Sequence, residues 1–277
     1  VLLGTDEVRA SLEEDRARED VTTALLGPAA HRPATGTFRA EEPFVVAGLP
    51  VVREVFGQLE SGARLEACRS EGESALPGDP IAAVQASAAT LLAGERVALN
   101  FLQRLSAIAT LTRRAVDAVR GTGCTITDTR KTTPGLRALE KYAVRVGGGE
   151  NHRLSLADGV LWKDNHWPLL RSSGGSLEEA LRRVPQGLDV IVEVESDEQL
   201  ELALAAGVGR ILVDNQPPER VSEWAKRCAG RAVIEASGGI TPETAAAYAR
   251  AGARYISIGA LTHSAGAVRI SFEVAIA

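Results

Sequence analysis

A chain of 277 residues has room for one barrel-sized domain and a smaller companion, but not for three domains. Its 45% hydrophobic and 24% charged residues are ordinary for a globular protein with a sizeable core, and an aromatic fraction of 4% makes that core mostly aliphatic. The net charge of −5 argues against a general nucleic-acid or membrane-surface binder, which carries a basic excess, so any cationic site must be local.

Cys68, Cys124 and Cys228 lie far apart with no Cys-x-x-Cys pair. That argues against a disulfide framework or a structural zinc site and fits free thiols in a reducing compartment. No apolar run approaches the ~20 residues that span a bilayer, and the opening Val-Leu-Leu-Gly-Thr-Asp-Glu does not read as a signal peptide. The expectation is a cytoplasmic protein with no membrane or nucleic-acid partner. The sequence contains no Met, so residue 1 is expected not to be the translated start.

In chain order, residues 6–18 read as an acidic helix, followed by Asp20-Val21-Thr22-Thr23. Extended segments over 35–47 and 63–70, with turns at Ser61-Gly62 and Pro77-Gly78, complete a small α+β domain. A long helix over 90–120 leads out of it. From there short β-branched runs alternate with amphipathic stretches. The strand candidates are 124–129, 159–163, 190–195, 210–214, 232–236 and 255–259. The helix candidates are 135–146, 176–184, 197–206, 218–228 and 241–251. Ser176 and Thr241-Pro242 are start signals, and Gly147, Gly207 and Gly252 are stop signals. Such alternation implies parallel βα units, and six units without a break suggest a barrel, complete or incomplete, over an open sheet. The runs are nearly continuous in their apolar character, as in strands covered on both faces.

What ends each strand candidate carries the chemistry. The first runs into Asp128-Thr129-Arg130-Lys131-Thr132-Thr133-Pro134-Gly135, the second into Lys163-Asp164-Asn165-His166. The third ends Glu193-Val194-Glu195 and the fourth Asp214-Asn215. The fifth runs into Ser237-Gly238-Gly239 and the sixth into Gly259-Ala260-Leu261-Thr262-His263-Ser264. In a barrel these ends converge on one face, so Arg130, Lys131, Lys163, Glu193, Asp214 and His263 are expected to share a mouth.

Two zones follow. Arg130, Lys131, Lys163 and the segment Gly147-Gly148-Gly149-Glu150-Asn151-His152-Arg153 form a basic zone that calls for a polyanionic ligand. Glu193 and Asp214 form an acidic zone suited to a Mg²⁺ ion that keeps most of its waters and meets a substrate phosphate. The glycine turns at 238–239 and 259 offer backbone N–H groups to a phosphate monoester. Together they describe a site for an anionic acid, a sugar 5′-phosphate and a metal-bound pyrophosphate, with no lone nucleophile. Singly, each piece has a plainer reading. A strand-end cation is often a solvated loop charge, Asp214-Asn215 a turn or cap, Ser-Gly-Gly a common turn, and His152 or His166 a satisfied structural histidine. The conjunction at six strand ends is what carries the argument.

At these residues the chain resembles the quinolinate phosphoribosyltransferases. The resemblance rests on TRKTTPGLRALEKYAVRVGGGENHR (129–153), LWKDNH (161–166), VEVES (192–196), ILVDN (211–215), EASGGIT (235–241) and ISIGALTHS (256–264), with REDVTT (18–23) and GERVALN (94–100) in support. It implies an α/β fold, with an N-terminal sandwich domain over 1–105, which the C-terminal tail is a candidate to join, and an incomplete parallel α/β barrel over 106–277. It further implies a homodimer or higher homo-oligomer with shared active sites, acting on quinolinate and phosphoribosyl pyrophosphate with Mg²⁺. Arg130, His152 and Arg153 would hold the dicarboxylate, with Lys131 and Lys163 lining the same pocket and Arg96 reaching in from the neighbouring subunit. Glu193 and Asp214 would sit near the ribose and the Mg²⁺–pyrophosphate, and Ser237, Gly238, Gly259 and His263 at the phosphate end. Lys131, Lys163, Glu193 and Asp214 would be the catalytic set.

Trp162 and Trp167, flanking the Lys-Asp-Asn-His turn, depart from the smaller aliphatics expected there, and a loop is expected over 168–175. They either pack beneath the mouth or alter access to it. The alternatives are a same-fold paralogue phosphoribosylating another aromatic acid, a Schiff-base lyase using Lys163, and a silent ligand sensor. The last predicts loss of the metal carboxylates, and both are present.

Overall fold

The computed structural model describes residues 3–276; the first two residues of the segment read for a signal peptide lie outside them. In chain order, α1 (Thr5–Glu14), α2 (Val21–Ala24), β1 (Pro33–Ala40), β2 (Phe44–Val45), α3 (Leu49–Leu59), β3 (Arg64–Ala67), β4 (Ser74–Ala75) and β5 (Pro80–Ser87) precede the long α4 (Ala88–Ala118). Then come β6 (Thr125–Thr127), α5 (Arg137–Val146), β7 (Val160–Trp162), α6 (His166–Ser172), α7 (Leu177–Leu181), β8 (Val190–Val194) and α8 (Asp197–Ala205). The chain closes with β9 (Arg210–Asp214), α9 (Pro218–Cys228), β10 (Val233–Ser237), α10 (Pro242–Arg250), β11 (Ala253–Ser257), α11 (Ala260–His263) and β12 (Ile270–Ile276).

Two compact units result, and they interleave in sequence. One takes the chain up to Arg113, then Thr132–Gly148 and the segment from Thr262 onward; the other takes Arg114–Lys131 and Gly149–Leu261. The expected cut between 105 and 106 falls within α4; the C-terminal strand clusters with the first unit, and so does the helix after the first barrel strand.

The first unit carries an antiparallel sheet in the order β12-β1-β5-β3. Along β1 burial alternates with period two, so Ala34, Gly36, Phe38 and Ala40 face inward. Gly36 has a reason: a Cβ there would collide with the ring of Phe272 on β12. That ring meets Phe38 in a tilted pair at 4.5 Å and stacks on Phe56 at 6.2 Å between centroids, an aromatic cluster that welds the C-terminal strand to the sheet. The extended reading of 35–47 is corrected, since the chain breaks after Ala40 and resumes as the two-residue β2. The helix expected over 6–18 stops at Glu14, where Arg16 adopts a left-handed φ of 49°. Helix α3 and strand β5 were not expected. In α3 a run rich in Val masks the helical spacing of Leu49, Val52 and Phe56, with Pro50 in the first turn.

Helix α5 buries Leu139, Ala143 and Val144, and also two charged residues, Glu140 and Lys141. Arg104 Nη2 donates to Glu140 Oε1 at 2.9 Å, and Thr133 donates through both N (3.1 Å) and Oγ1 (2.8 Å) to the same carboxylate. At the end of α5, a Cβ on Gly147 would stand 2.6 Å from the carbonyl oxygen of Ala109, so only glycine lets the helix end lie against α4.

The second unit is the expected incomplete barrel, a six-stranded sheet in the order β6-β11-β10-β9-β8-β7 with every pair parallel and β6 and β7 unpaired with each other. Its strands end within two residues of the expected ends. The segment 168–175 is not wholly loop: it opens inside α6, whose first turn tolerates Pro168. Among the described residues no helix is long and apolar enough to cross a membrane.

Candidate active site

Parallel strands all deliver their carboxyl ends to one side. There the second unit encloses a cavity of about 280 Å³. The turn after β6 contributes Thr129, Arg130 and Lys131; the segment after α5 contributes His152 and Arg153; β7 and its turn contribute Leu161 and Lys163. Glu193 comes from β8, Leu212 and Asp214 from β9, Glu235 and Ser237 from β10, and Ser257 from β11. The basic and acidic zones therefore meet in one cavity.

The basic wall is built by hydrogen bonds running along the backbone. Glu150 N donates to Ile126 O at 2.9 Å and Asp128 N to Glu150 O at 3.2 Å, so 150 continues the sheet beside β6. The buried Asp128 carboxylate then accepts from His152 N (2.9 Å) and Asn151 Nδ2 (2.6 Å), fixing where His152 and Arg153 leave the sheet. Arg153 Nη1 donates to Gly159 O at 2.9 Å. Burial, and then the charge of Arg130, pull the Arg153 guanidinium below its ordinary value. Two cations are thus held close enough to repel, an arrangement that an anion relieves.

On the acidic wall Glu193 is nearly buried, with Lys163 Nζ 3.6 Å from its Oε2. Burial pushes the Glu193 carboxyl up; Lys163 pulls it down, and the charges of Asp214 and Asp164 push it up further. The Glu193 backbone is pinned from behind, where buried Trp167 donates its Nε1–H to Glu193 O at 3.1 Å. Trp167 therefore packs beneath the wall, and neither it nor Trp162 lines the cavity. His166 is structural, its Nδ1 accepting from Lys163 N at 2.8 Å.

Ser237 lines the cavity, whereas Gly238 and Gly259 do not. Gly238 has φ 92°, and a Cβ on it would collide with Asn215, which itself holds φ 52° and donates N–H to Ser237 O at 2.9 Å. Glycine at 238 is thus dictated by the adjoining turn. His263 and Arg96 belong to the first unit. Exposed His263 pairs its Nδ1 with Ser264 Oγ at 2.6 Å, and Arg96 lines a separate cavity of about 590 Å³ with Asn100, Arg104 and Glu140. Sequence reasoning missed Asp128, Glu235 and Ser257 as site builders. The signal was present in Glu235, a charge inside an otherwise apolar strand run.

Comparison with known proteins bears on this cavity directly. The family description "Quinolinate phosphoribosyl transferase, N-terminal domain" matches residues 20–106, and its C-terminal counterpart matches 108–273. The chain is 44% identical over 288 residues to a nicotinate-nucleotide pyrophosphorylase [carboxylating] of Mycobacterium leprae, covering 97% of this chain and 96% of that one. It is 44% identical over 239 residues to a probable enzyme of the same name from Bacillus subtilis, covering 85% and 81%. The crystal structure of NadC from Streptococcus pyogenes superposes with a TM-score of 0.91 at 38% identity, covering 99% of this chain and 97% of that one. Family matches over both halves, relatives matched along nearly their whole length and a shared fold agree with the cavity's chemistry: the chain belongs to the quinolinate phosphoribosyltransferase family.

Proposed function

We propose that the cavity of the second unit binds quinolinate against its basic wall and joins the pyridine nitrogen to C1 of the ribose of phosphoribosyl pyrophosphate. The products are nicotinate mononucleotide, pyrophosphate and carbon dioxide. The observation that carries this reading is the placing of Arg130, Lys131, His152 and Arg153 in the lining of one cavity, where burial and the charge of Arg130 pull the Arg153 guanidinium down. A ligand with two adjacent carboxylates answers two adjacent cations, since each guanidinium presents a fork to one carboxylate.

In this reading Arg130, His152 and Arg153 orient the two carboxylates and aim the ring nitrogen at C1. The bond from C1 to pyrophosphate breaks as C1 becomes oxocarbenium-like, and Lys131 and Lys163 stabilise the departing charge. The nitrogen lone pair then forms the new bond, leaving the ring cationic. The bond from C2 to its carboxylate breaks next, the electron pair passes to C2, and a proton replaces the lost carbon dioxide.

The acidic wall fits Mg²⁺. Glu193 and Asp214 offer hard oxygen donors, and the upward push on Glu193 from burial and from Asp214 is one that a divalent cation removes. Among the described residues no group of three or more His, Cys, Asp or Glu side chains is placed to hold an ion, so water and pyrophosphate oxygens would complete the shell. When bound, the ion supplies charge neutralisation to pyrophosphate. Ser237 takes the phosphate end, and Gly238, Gly259, His263 and Arg96 keep the roles that the resemblance implies, as does assembly into a dimer with shared sites. The three free cysteines support a reducing cytoplasm as the place of work.

Calorimetry with quinolinate and with nicotinate tests the pocket. Quinolinate is expected to bind at least ~100-fold more tightly, the scale set by leaving charged groups unpaired. Equal affinities would move the chain to a same-fold paralogue acting on a mono-acid.

A further inference from the structure

Beneath the cavity a charged residue interrupts the buried aliphatic run of a barrel strand. Glu235 sits in mid-strand on β10, opposite Leu212 on β9 and Tyr255 on β11, and is fully buried. Arg210 Nε donates to its Oε2 at 2.8 Å, and that guanidinium lies 3.6 Å from the centroid of the Tyr255 ring. The other oxygen, Oε1, accepts from Ser257 Oγ and faces His152 Nε2 at 3.4 Å. His152 Nδ1 meanwhile accepts the N–H of Arg153 at 3.0 Å, which puts the ring proton on Nε2, toward Glu235. One carboxylate thus links an arginine inside the sheet to a histidine lining the cavity.

Burial disfavours the charged form of Glu235. The hydrogen bond from His152, and then the charge of Arg210, outweigh that and hold the carboxyl below its ordinary value. A buried ion pair is a poor device for stability alone, since apolar side chains of similar volume often serve as well. What the charged carboxylate adds is direction, because it fixes which way the imidazole points.

We propose that Glu235 is a positioning residue for the acid-binding wall: it sets the tautomer and ring plane of His152, and through the His152–Arg153 hydrogen bond the backbone from which Arg153 reaches the acid. This deepens the quinolinate reading above and rests on it. Glu235 reaches the cavity wall, and its role there is exerted through its neighbour, as outer hydrogen-bond partners act on histidines that ligate metals.

The test is a double-mutant cycle read separately for each substrate. Glu235→Gln is expected to raise KM and calorimetric Kd for quinolinate ~10–100-fold, the range seen for outer-shell partners, with KM for phosphoribosyl pyrophosphate changed by less than about threefold. His152→Ala should weaken quinolinate as well, and the double variant should be no worse than His152→Ala alone, since a residue acting through His152 has nothing left to position. Multiplicative losses in the double variant, or an equal rise in both KM values, would overturn the proposal. Glu235→Gln leaves Arg210 without its anion and invites misfolding, so the paired variant Arg210→Met/Glu235→Leu removes both charges. It should fold and still show the raised quinolinate KM; a normal KM there would assign Glu235 to stability alone. A wild-type protein that neither binds nor turns over quinolinate would defeat the functional reading itself, whereas normal wild-type turnover with a multiplicative cycle defeats only this inference.

Discussion

Each compact unit buries one glutamate against an arginine, and the two pairs serve different ends. In the first unit Glu140 is met by Arg104 and by the backbone N–H and hydroxyl of Thr133. Arg104 also donates to the carbonyl oxygens of Thr262 and Gly266, so this pair ties three stretches of backbone together. In the second unit Glu235 is met by Arg210 and Ser257, and its remaining direction is turned to a histidine in the cavity wall. Burial and charge are alike in the two. The partners decide whether the carboxylate holds the chain or aims a side chain.

The comparison is broken most severely at its structural end. Glu140→Ala leaves Arg104 unpaired and two Thr133 donors without an acceptor, and is expected to cost about 3–5 kcal/mol of stability. Thermal melts check this, and the fraction that folds should keep its quinolinate KM. On the functional end, Arg130→Glu should weaken quinolinate binding at least ~100-fold by placing a carboxylate against a dianion. The melting temperature should stay within about 2 °C, because surface and cavity charges contribute little to folding. Retained affinity by calorimetry would contradict the wall as drawn.

Gly238→Ala falls between the two ends, since it forces a side chain into a left-handed φ and against Asn215. A stability loss of about 1–3 kcal/mol is expected, with a raised KM for phosphoribosyl pyrophosphate as the turn behind Asp214 and Ser237 shifts. Trp167→Phe removes the hydrogen bond to the Glu193 carbonyl together with part of a buried ring, and should cost about 1–3 kcal/mol. The smallest effect is one of pH. Because the folded Glu235 carboxyl lies below its ordinary value of 4.5, the stability it contributes is complete above that value and is lost as pH falls through the lower folded one. Glu235→Gln should therefore flatten the acid limb of stability measured below about pH 4.5; an unchanged limb would mean the carboxylate is not held ionised.

The sequence was most legible where the period of two or 3.6 and the turn residues were local. All six parallel strands could be placed, because each is a short apolar run ending in polar residues, and the cavity followed from topology alone. The first unit was harder. Strand β12 alternates plainly, but its partner β1 lies at the other end of the chain, and only Gly36 under Phe272 shows why they meet. Helix α3 was hidden by Val51, Val52 and Val55, which favour strands until tertiary packing decides otherwise. Within the site, charged residues at strand ends stood out, whereas Glu235 and Asp128 did not. A buried carboxylate in mid-strand looks like an error of pattern until its partners are known, and those partners come from different strands.

Turnover of quinolinate with phosphoribosyl pyrophosphate and Mg²⁺, following nicotinate mononucleotide and carbon dioxide together beside a parallel assay with nicotinate, tests the central claim most directly. The two products are expected in equal amounts from quinolinate, with no nucleotide from nicotinate. Nucleotide formed from nicotinate, or carbon dioxide not matched by nucleotide, would contradict it.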